Sequence, residues 1–518
     1  MLKRKNVPLL CLFFIVFVAF VVRFKGVWFG YPLPVHFDEP ILVETALRMI
    51  ETGDLNPHFF NYPTLNIYLQ ALLYQTIRFS LYLFFGISSS EIPIIWYYIA
   101  GRTFNVFISV LTILITYEIG RRLFSSFVGL FSAFFLTFSF LHVANSFLVT
   151  VDSSVAFWMS LSALMAVLIY TEGKKTIYYL LCGIFTGLAI SSKYTAFVCI
   201  TPLLVADYAQ SRIDKDWMGK GIIVGLFAIP IAFLMTTPYA VLDFNTFMAD
   251  IKFEAVHYSS GHPGFESGVS TSFHLYLNYL ISKGYGLFPT IFAIVGFIWV
   301  LRKAPWKAAI ITIAPVLLYI LVGKYKVFFP RNIVAIVPFL SLFSGIFVFE
   351  VYEWFVEKTS TLPRSSRPVI SIGMNFVLIV ILIGSVWTQI FSILNHIKVI
   401  TLPDTRWVSI EWIEKNIPHG SHVGREHYTP PLEEYTRNFK TSYLGLFAVA
   451  KKPKEVKKLD YMIVSSGDYG RYLRQPDKYP KEWNAYRKFF ETNELTHEFD
   501  PDGKKLGGPT IRVYKILH

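Results

Sequence analysis

Lys3-Arg4-Lys5-Asn6-Val7-Pro8-Leu9-Leu10-Cys11-Leu12-Phe13-Phe14-Ile15-Val16-Phe17-Val18-Ala19-Phe20-Val21-Val22 sets a basic flank before an apolar run. No small-residue cleavage site follows it, so the segment reads as a retained signal anchor. Apolar blocks of roughly 16–22 residues, long enough to cross a bilayer core as helices, recur to about residue 394 and then stop. Counting them gives about eleven spans, at 7–25, 98–119, 123–142, 152–171, 177–192, 194–209, 219–238, 286–302, 307–323, 332–350 and 369–391. Composition agrees, with 54% hydrophobic and only 16% charged residues, where soluble domains carry about a quarter charged. The expected fold class is a polytopic α-helical membrane protein over 1–400 with a small soluble α/β domain over 401–518.

The basic residues orient this bundle. With the first terminus in the cytoplasm, the cytoplasmic loops hold Arg121-Arg122, Lys174-Lys175, Arg212 with Lys215, Arg302-Lys303 with Lys307, and Lys358 with Arg364 and Arg367. Each is short and basic, as the positive-inside rule asks. The net charge of +13 is therefore spent on topology and anionic headgroups, and no basic soluble module points to nucleic acid. The stretch 64–86 is also apolar, but it carries Gln70, Gln75 and Arg78, and counting it as a span would reverse every later loop. It is expected to lie as a re-entrant or interfacial helix on the outer side. Three cysteines, Cys11, Cys182 and Cys199, fall inside apolar blocks and read as small core residues. The long connections, 26–97 and 239–285, then lie outside with the tail, and loops on a rigid scaffold are where chemistry is expected.

The first outer loop reads Tyr31-Pro32-Leu33-Pro34-Val35-His36-Phe37-Asp38-Glu39-Pro40. Pro40 suits the first turn of a helix, and Ile41, Leu42, Thr45, Leu47, Met49 and Ile50 continue it to Gly53. Asp38 and Glu39 sit at its N-terminus, where the helix dipole favours carboxylates. They are either an N-cap pair or working carboxylates at the mouth of the bundle. His36, Asp38 and Glu39 are also the candidate metal donors, though two carboxylates and one imidazole make a sparse set.

The order of short motifs is informative. After the Asp38-Glu39 pair come Gly53-Asp54, Tyr62-Pro63-Thr64-Leu65, Gly101-Arg102, Arg121-Arg122-Leu123-Phe124, the Asn145 to Asp152 segment, Ser192-Lys193-Tyr194 and Phe329-Pro330-Arg331-Asn332. In this order they resemble the GT-C superfamily of membrane glycosyltransferases, and most of all its branch of protein O-mannosyltransferases and lipid A aminoarabinose transferases. The resemblance covers roughly residues 10–350. It implies transfer of a sugar from a polyprenyl-phosphate donor to a protein, lipid or glycan acceptor on the outer face of the cell membrane. It implies further that Asp38 acts as base, that Glu39 supports it or holds the helix, and that Asp152 is a second acidic position near the acceptor. Asp152 is equally well placed to cap the span that follows it. No cofactor is required by this chemistry, and a divalent cation is left open.

A lipid phosphate needs cations. Lys193 lies between two spans with almost no loop, on the side where an unpaired Lys is unexpected. Lys324, Lys326 and Arg331 form a second outer cluster, and Arg in particular suits phosphate oxygens. These four either bind the donor phosphate or anchor to headgroups. His36, Tyr62, Tyr194 and His257 are the candidates for sugar or acceptor contact, the last in the run His257-Tyr258-Ser259-Ser260-Gly261-His262. A transporter or flippase is the competing class, but it predicts charged residues in mid-span and broken paired segments. In the tail, 404–416 has helical spacing, 461–464 is a compact apolar strand, and 510–516 alternates as a closing strand.

Overall fold

The computed structural model describes residues 7–215, 219–260, 272–360 and 367–518. Lys3, Arg4, Lys5 and Arg364, and the part of the 239–285 loop at 261–271 with His262, lie outside the described residues. The described chain divides into two compact units, the second formed by Trp28–Val35 together with Asn395–His518.

Among the described residues the first unit is built of helices and the turns that join them. Each segment expected to span is helix, but not each is one continuous span. Among the described residues six helices are long and apolar enough to cross a membrane, and up to eight if two bent pairs are each counted as one span. Thr176–Ser192 and Lys220–Thr236 are apolar but shorter. The helix Leu65–Phe85 is not among these candidates; Leu72, Phe79, Tyr82, Leu83, Phe84 and Phe85 remain exposed on it.

The two bends have identifiable causes. Ser126–Thr137 and Phe140–Ser146 meet at 65°, where the buried Arg23 guanidinium donates to the carbonyls of Leu136 and Thr137 at 3.2 and 3.3 Å. The Leu136 carbonyl also accepts from the Ser139 amide at 3.4 Å, and the guanidinium supplements this at the helix end, where carbonyls lack intrahelical partners. Phe273–Gly284 and Leu287–Lys303 meet at 119°, and Gly286 there adopts φ 98°, a conformation that favours glycine. The bends are stitched together: Ser139 Oγ donates to the Gly284 carbonyl at 3.1 Å, and Gln389 accepts from the Phe140 amide at 3.1 Å. Elsewhere small residues set the packing. A Cβ on Gly183 would lie 2.1 Å from the Gly225 carbonyl oxygen, so the helices carrying these residues touch backbone to backbone.

The second unit is built on a five-stranded sheet of order β2-β1-β3-β5-β4. Its strands are β1 (His422–Glu426), β2 (Lys440–Gly445), β3 (Tyr461–Ser465), β4 (Glu494–Phe499) and β5 (Ile511–Lys515). β1 runs parallel to β2 and β3, and β5 antiparallel to β3 and β4. The expected helix is Thr405–Asn416, capped by the Asp404 side chain accepting from the Arg406 amide. Alternation along β3 sends Met462 and Val464 into one apolar cluster with Tyr486 and Tyr514, and Ile463 into another with Ile410, Ile413 and Val513. Leu33 and Val35 join the second cluster, so a segment read from sequence as part of 1–400 packs with the tail.

Candidate functional site

Pro40 starts the helix Glu39–Thr52, and Gly53 ends it at φ 72°. Asp38 is the N-cap residue, yet its side chain makes no cap hydrogen bond; it pairs instead with Arg331. Consecutive residues at a helix start point about 100° apart, and the two acids part company accordingly. Glu39 is wholly buried against Arg102, with contacts of 2.6 and 2.9 Å, and also accepts from the Val149 amide at 2.9 Å. Glu39 therefore holds the helix to the bundle and does not face the cleft with Asp38.

Asp152 opens the helix Asp152–Glu172 without capping it. Its carboxylate, 4% exposed, lies 2.8 Å from Lys193 Nζ and 4.0 Å from Arg331 Nε. The capping role expected for it is not the one it takes, because two cations compete for the carboxylate. Lys193 stands in extended backbone between a helix end and the 3-10 turn Tyr194–Cys199, and its Nζ also donates to Asn332 Oδ1 at 2.8 Å. Arg331 lies in the 3-10 turn Pro330–Ile336, its guanidinium 4.9 Å from the centre of the Phe329 ring. Breaks between helices thus carry the cations and helix starts carry the acids. The result is an alternating row: Asp38, Arg331, Asp152, Lys193.

Electrostatics favour an ionised Asp38. Burial pushes its carboxyl up, but the charges of Arg331 and His36 outweigh this and hold it below its ordinary value. Burial depresses the His36 imidazole, whose Nδ1 accepts from the Asp38 amide at 3.3 Å. With Glu39 held by Arg102 and Asp38 by Arg331, the three candidate metal donors do not converge. Among the described residues no group of three or more His, Cys, Asp or Glu is arranged to hold a metal ion.

A narrow cleft lined by Asp38, Tyr62, Asp152 and Arg331 adjoins, through Tyr62, a cavity of about 430 Å³ lined by Lys193, Tyr194, Glu254, Tyr258 and Lys324 among others. Tyr62 is positioned by its neighbours: Thr64 Oγ1 donates to the Thr236 carbonyl at 2.7 Å, and the Leu65 amide to that of Ser191 at 3.2 Å. The two long loops also meet here. Asp250 accepts from the Phe60 amide at 2.7 Å, and Tyr194 OH donates to the Phe60 carbonyl at 2.8 Å. Lys326 is exposed and does not line the cavity, its amide donating to the Tyr258 carbonyl at 3.2 Å. His257 stacks on Phe253 at 6.2 Å and does not line it either. Sequence reasoning missed Glu254 and the part played by Asn332. The second stood inside a quoted motif, whereas nothing in the helical run around Glu254 distinguishes it from Asp250.

Residues 97–241 match the model of the dolichyl-phosphate-mannose-protein mannosyltransferase family, a stretch that includes Arg102, Asp152 and Lys193. A sequence search of curated proteins returned no match. Among solved structures, ArnT from Cupriavidus metallidurans in the apo state aligns with a TM-score of 0.59 at 15% identity, covering 96% of this chain and 97% of that one. The same protein bound to undecaprenyl phosphate aligns at 0.57 and 15%, covering 99% and 98%. The apo oligosaccharyltransferase of Archaeoglobus fulgidus aligns at 0.59 and 12%, covering 92% of this chain and 72% of that one. Taken together, these likenesses show that the chain has the multi-helix fold of ArnT and of the archaeal oligosaccharyltransferase, with several helices long and apolar enough to cross a membrane, and that residues 97–241 are similar to the mannosyltransferase family.

Proposed function

We propose that the protein transfers a glycosyl unit from a polyprenyl-phosphate donor to an acceptor on the non-cytoplasmic face of the cell membrane. The observation that carries this reading is the alternating row Asp38, Arg331, Asp152, Lys193 beside a cavity that Lys324 also lines. An acceptor hydroxyl or amine attacks the anomeric carbon, and its proton passes to the Asp38 carboxylate. The bond from that carbon to the phosphate oxygen breaks, the electron pair leaves on the phosphate, and the configuration inverts. Lys193, Lys324 and Arg331 stabilise the charge on the departing oxygens. Asp152 keeps Lys193 and Arg331 in place and orients the acceptor.

Undecaprenyl phosphate bound to ArnT supports a donor of this class. The acceptor is a protein, lipid or glycan. The basic short loops support a cytoplasmic N-terminus. Transfer of this kind requires no cofactor; rate loss on chelation, restored by a divalent cation, would reverse that expectation. The test compares wild type with Asp38→Asn in membranes supplied with labelled polyprenyl-phosphate sugars, following donor binding and sugar release separately. Asp38→Asn is expected to bind donor and to lose transfer by about two orders of magnitude, near 3 kcal/mol of barrier. Because Asp38 is held below its ordinary value, the acid limb of kcat at saturating donor falls below the ordinary carboxylate range. Donor binding by the wild type with no sugar release for any donor tried would replace this reading with a lipid-binding or flipping role.

A further inference from the structure

Glu254 is the one acidic side chain lining the larger cavity among the described residues, and it has no part in the proton transfer assigned to Asp38. It projects from the helix Phe244–Ser260, half-buried, and makes no hydrogen bond or ion pair among the described residues. Its neighbour Asp250 is spoken for by the Phe60 amide at 2.7 Å. Lys193 and Lys324 line the same cavity, and the rings of Tyr62, Tyr194 and Tyr258 complete much of its wall. At about 430 Å³ it falls within the size of small-molecule sites. Cations, a carboxylate and aromatic faces in one chamber match a phosphorylated sugar: amines for the phosphate, rings for the apolar face of the pyranose, a carboxylate for adjacent hydroxyls.

Resting on the donor class proposed above, we infer that Glu254 recognises the glycosyl unit itself, accepting hydrogen bonds from adjacent sugar hydroxyls while Lys193 and Lys324 hold the phosphate. This makes it a specificity-determining residue and gives recognition a pH dependence of its own. Burial pushes the Glu254 carboxyl up to about 7, against the lowering charges of Lys193 and Arg331 and with the raising charges of Asp250 and Asp38. Tyr258 faces it uncharged at neutral pH, its phenol raised further by burial, and Tyr194 lines the wall beside it. The ionised form accepts from hydroxyls best, so sugar recognition strengthens as pH rises from about 6 to 8.

The test measures binding of the full-length protein in nanodiscs to undecaprenyl phosphate and to mannosyl- and glucosyl-phosphoryl-undecaprenol, for wild type and Glu254→Gln. The sugar-bearing lipids are phosphodiesters without a titrating proton in this range, so their pH dependence belongs to the protein. Glu254→Gln is expected to weaken binding of a sugar-bearing lipid about tenfold or more, to leave bare undecaprenyl phosphate unchanged, and to flatten the rise between pH 6 and 8. An unchanged thermal midpoint of the variant excludes a folding defect. Equal loss for bare and sugar-bearing lipid, or no loss for either, overturns the inference. A wild type that binds neither kind of lipid overturns it together with the donor class. The expected binding pattern without sugar release for any acceptor leaves sugar recognition standing and removes the transfer reading alone.

Discussion

Breaking the buried pair between Glu39 and Arg102 should cost much, and removing both charges should cost much less than the sum. Both side chains are wholly buried, the guanidinium makes two hydrogen bonds to the carboxylate at 2.6 and 2.9 Å, and it donates to the Val27 carbonyl at 3.0 Å. Arg102→Met leaves a carboxylate in apolar surroundings facing the Val149 amide, and loss of one partner from such a pair costs about 3–5 kcal/mol. Glu39→Gln keeps the shape and an acceptor for Val149 but strands the guanidinium, and falls near the lower end, about 3 kcal/mol. Glu39→Gln/Arg102→Met removes both charges, so its cost should fall short of the sum by about 2–3 kcal/mol. The assay is a double-mutant cycle on the detergent-solubilised protein, with unfolding midpoints in mixed micelles followed by tryptophan fluorescence. Costs that add to within about 0.5 kcal/mol would refute the coupling and with it the claim that this pair pins the Asp38 helix to the bundle.

Gly183→Leu should separate the helices Thr176–Ile190 and Lys220–Thr236, since even a Cβ there would lie 2.1 Å from the Gly225 carbonyl oxygen. The expected loss is about 1–3 kcal/mol or more, read as a lowered thermal midpoint, while Gly384→Leu, where a Cβ meets nothing within 4 Å, leaves it unchanged. In the second unit, burial raises the Asp468 carboxyl to about 6, so the folded state holds its proton more tightly than the unfolded. The stability this contributes is complete below the unfolded value of about 4 and is lost as pH rises through about 6. Asp468→Asn has no proton to lose, and urea unfolding of the full chain should show it more resistant than wild type at pH 7 and less sensitive to pH.

Bundle and tail were legible because membrane spans impose a length and a polarity that any sequence must show. The break at 138–139 was not, since what holds it are side chains far apart in sequence: Arg23 under the carbonyls of 136 and 137, and Gln389 beneath Phe140. The acids and cations Asp38, Asp152, Lys193 and Arg331 could be picked out singly as polar residues at span ends. That they pair with one another is a property of the fold, and it changes what each has to spare for a ligand. Glu39 could not be told from Asp38 by position in the chain, because their difference is one of direction around a helix. β1 and β2, His-Val-Gly-Arg-Glu and Lys-Thr-Ser-Tyr-Leu-Gly, lack the compact apolar run that betrayed β3 and the alternation that betrayed β5.

The seat of Leu33 and Val35 in the core of the second unit bears on how the protein is made. Val35 receives a hydrogen bond from Arg406 at 3.1 Å, and the core around it is closed by Ile511 and Val513. A ribosome therefore delivers the first piece of this unit hundreds of residues before the strands that shelter it. Leu33 must wait, exposed, while the whole bundle is inserted. A fragment beginning at Asn395 would be born without that piece, and a C-terminal truncation before β5 would leave it unsheltered, so neither end of the chain can be trimmed as if the tail were a detachable module.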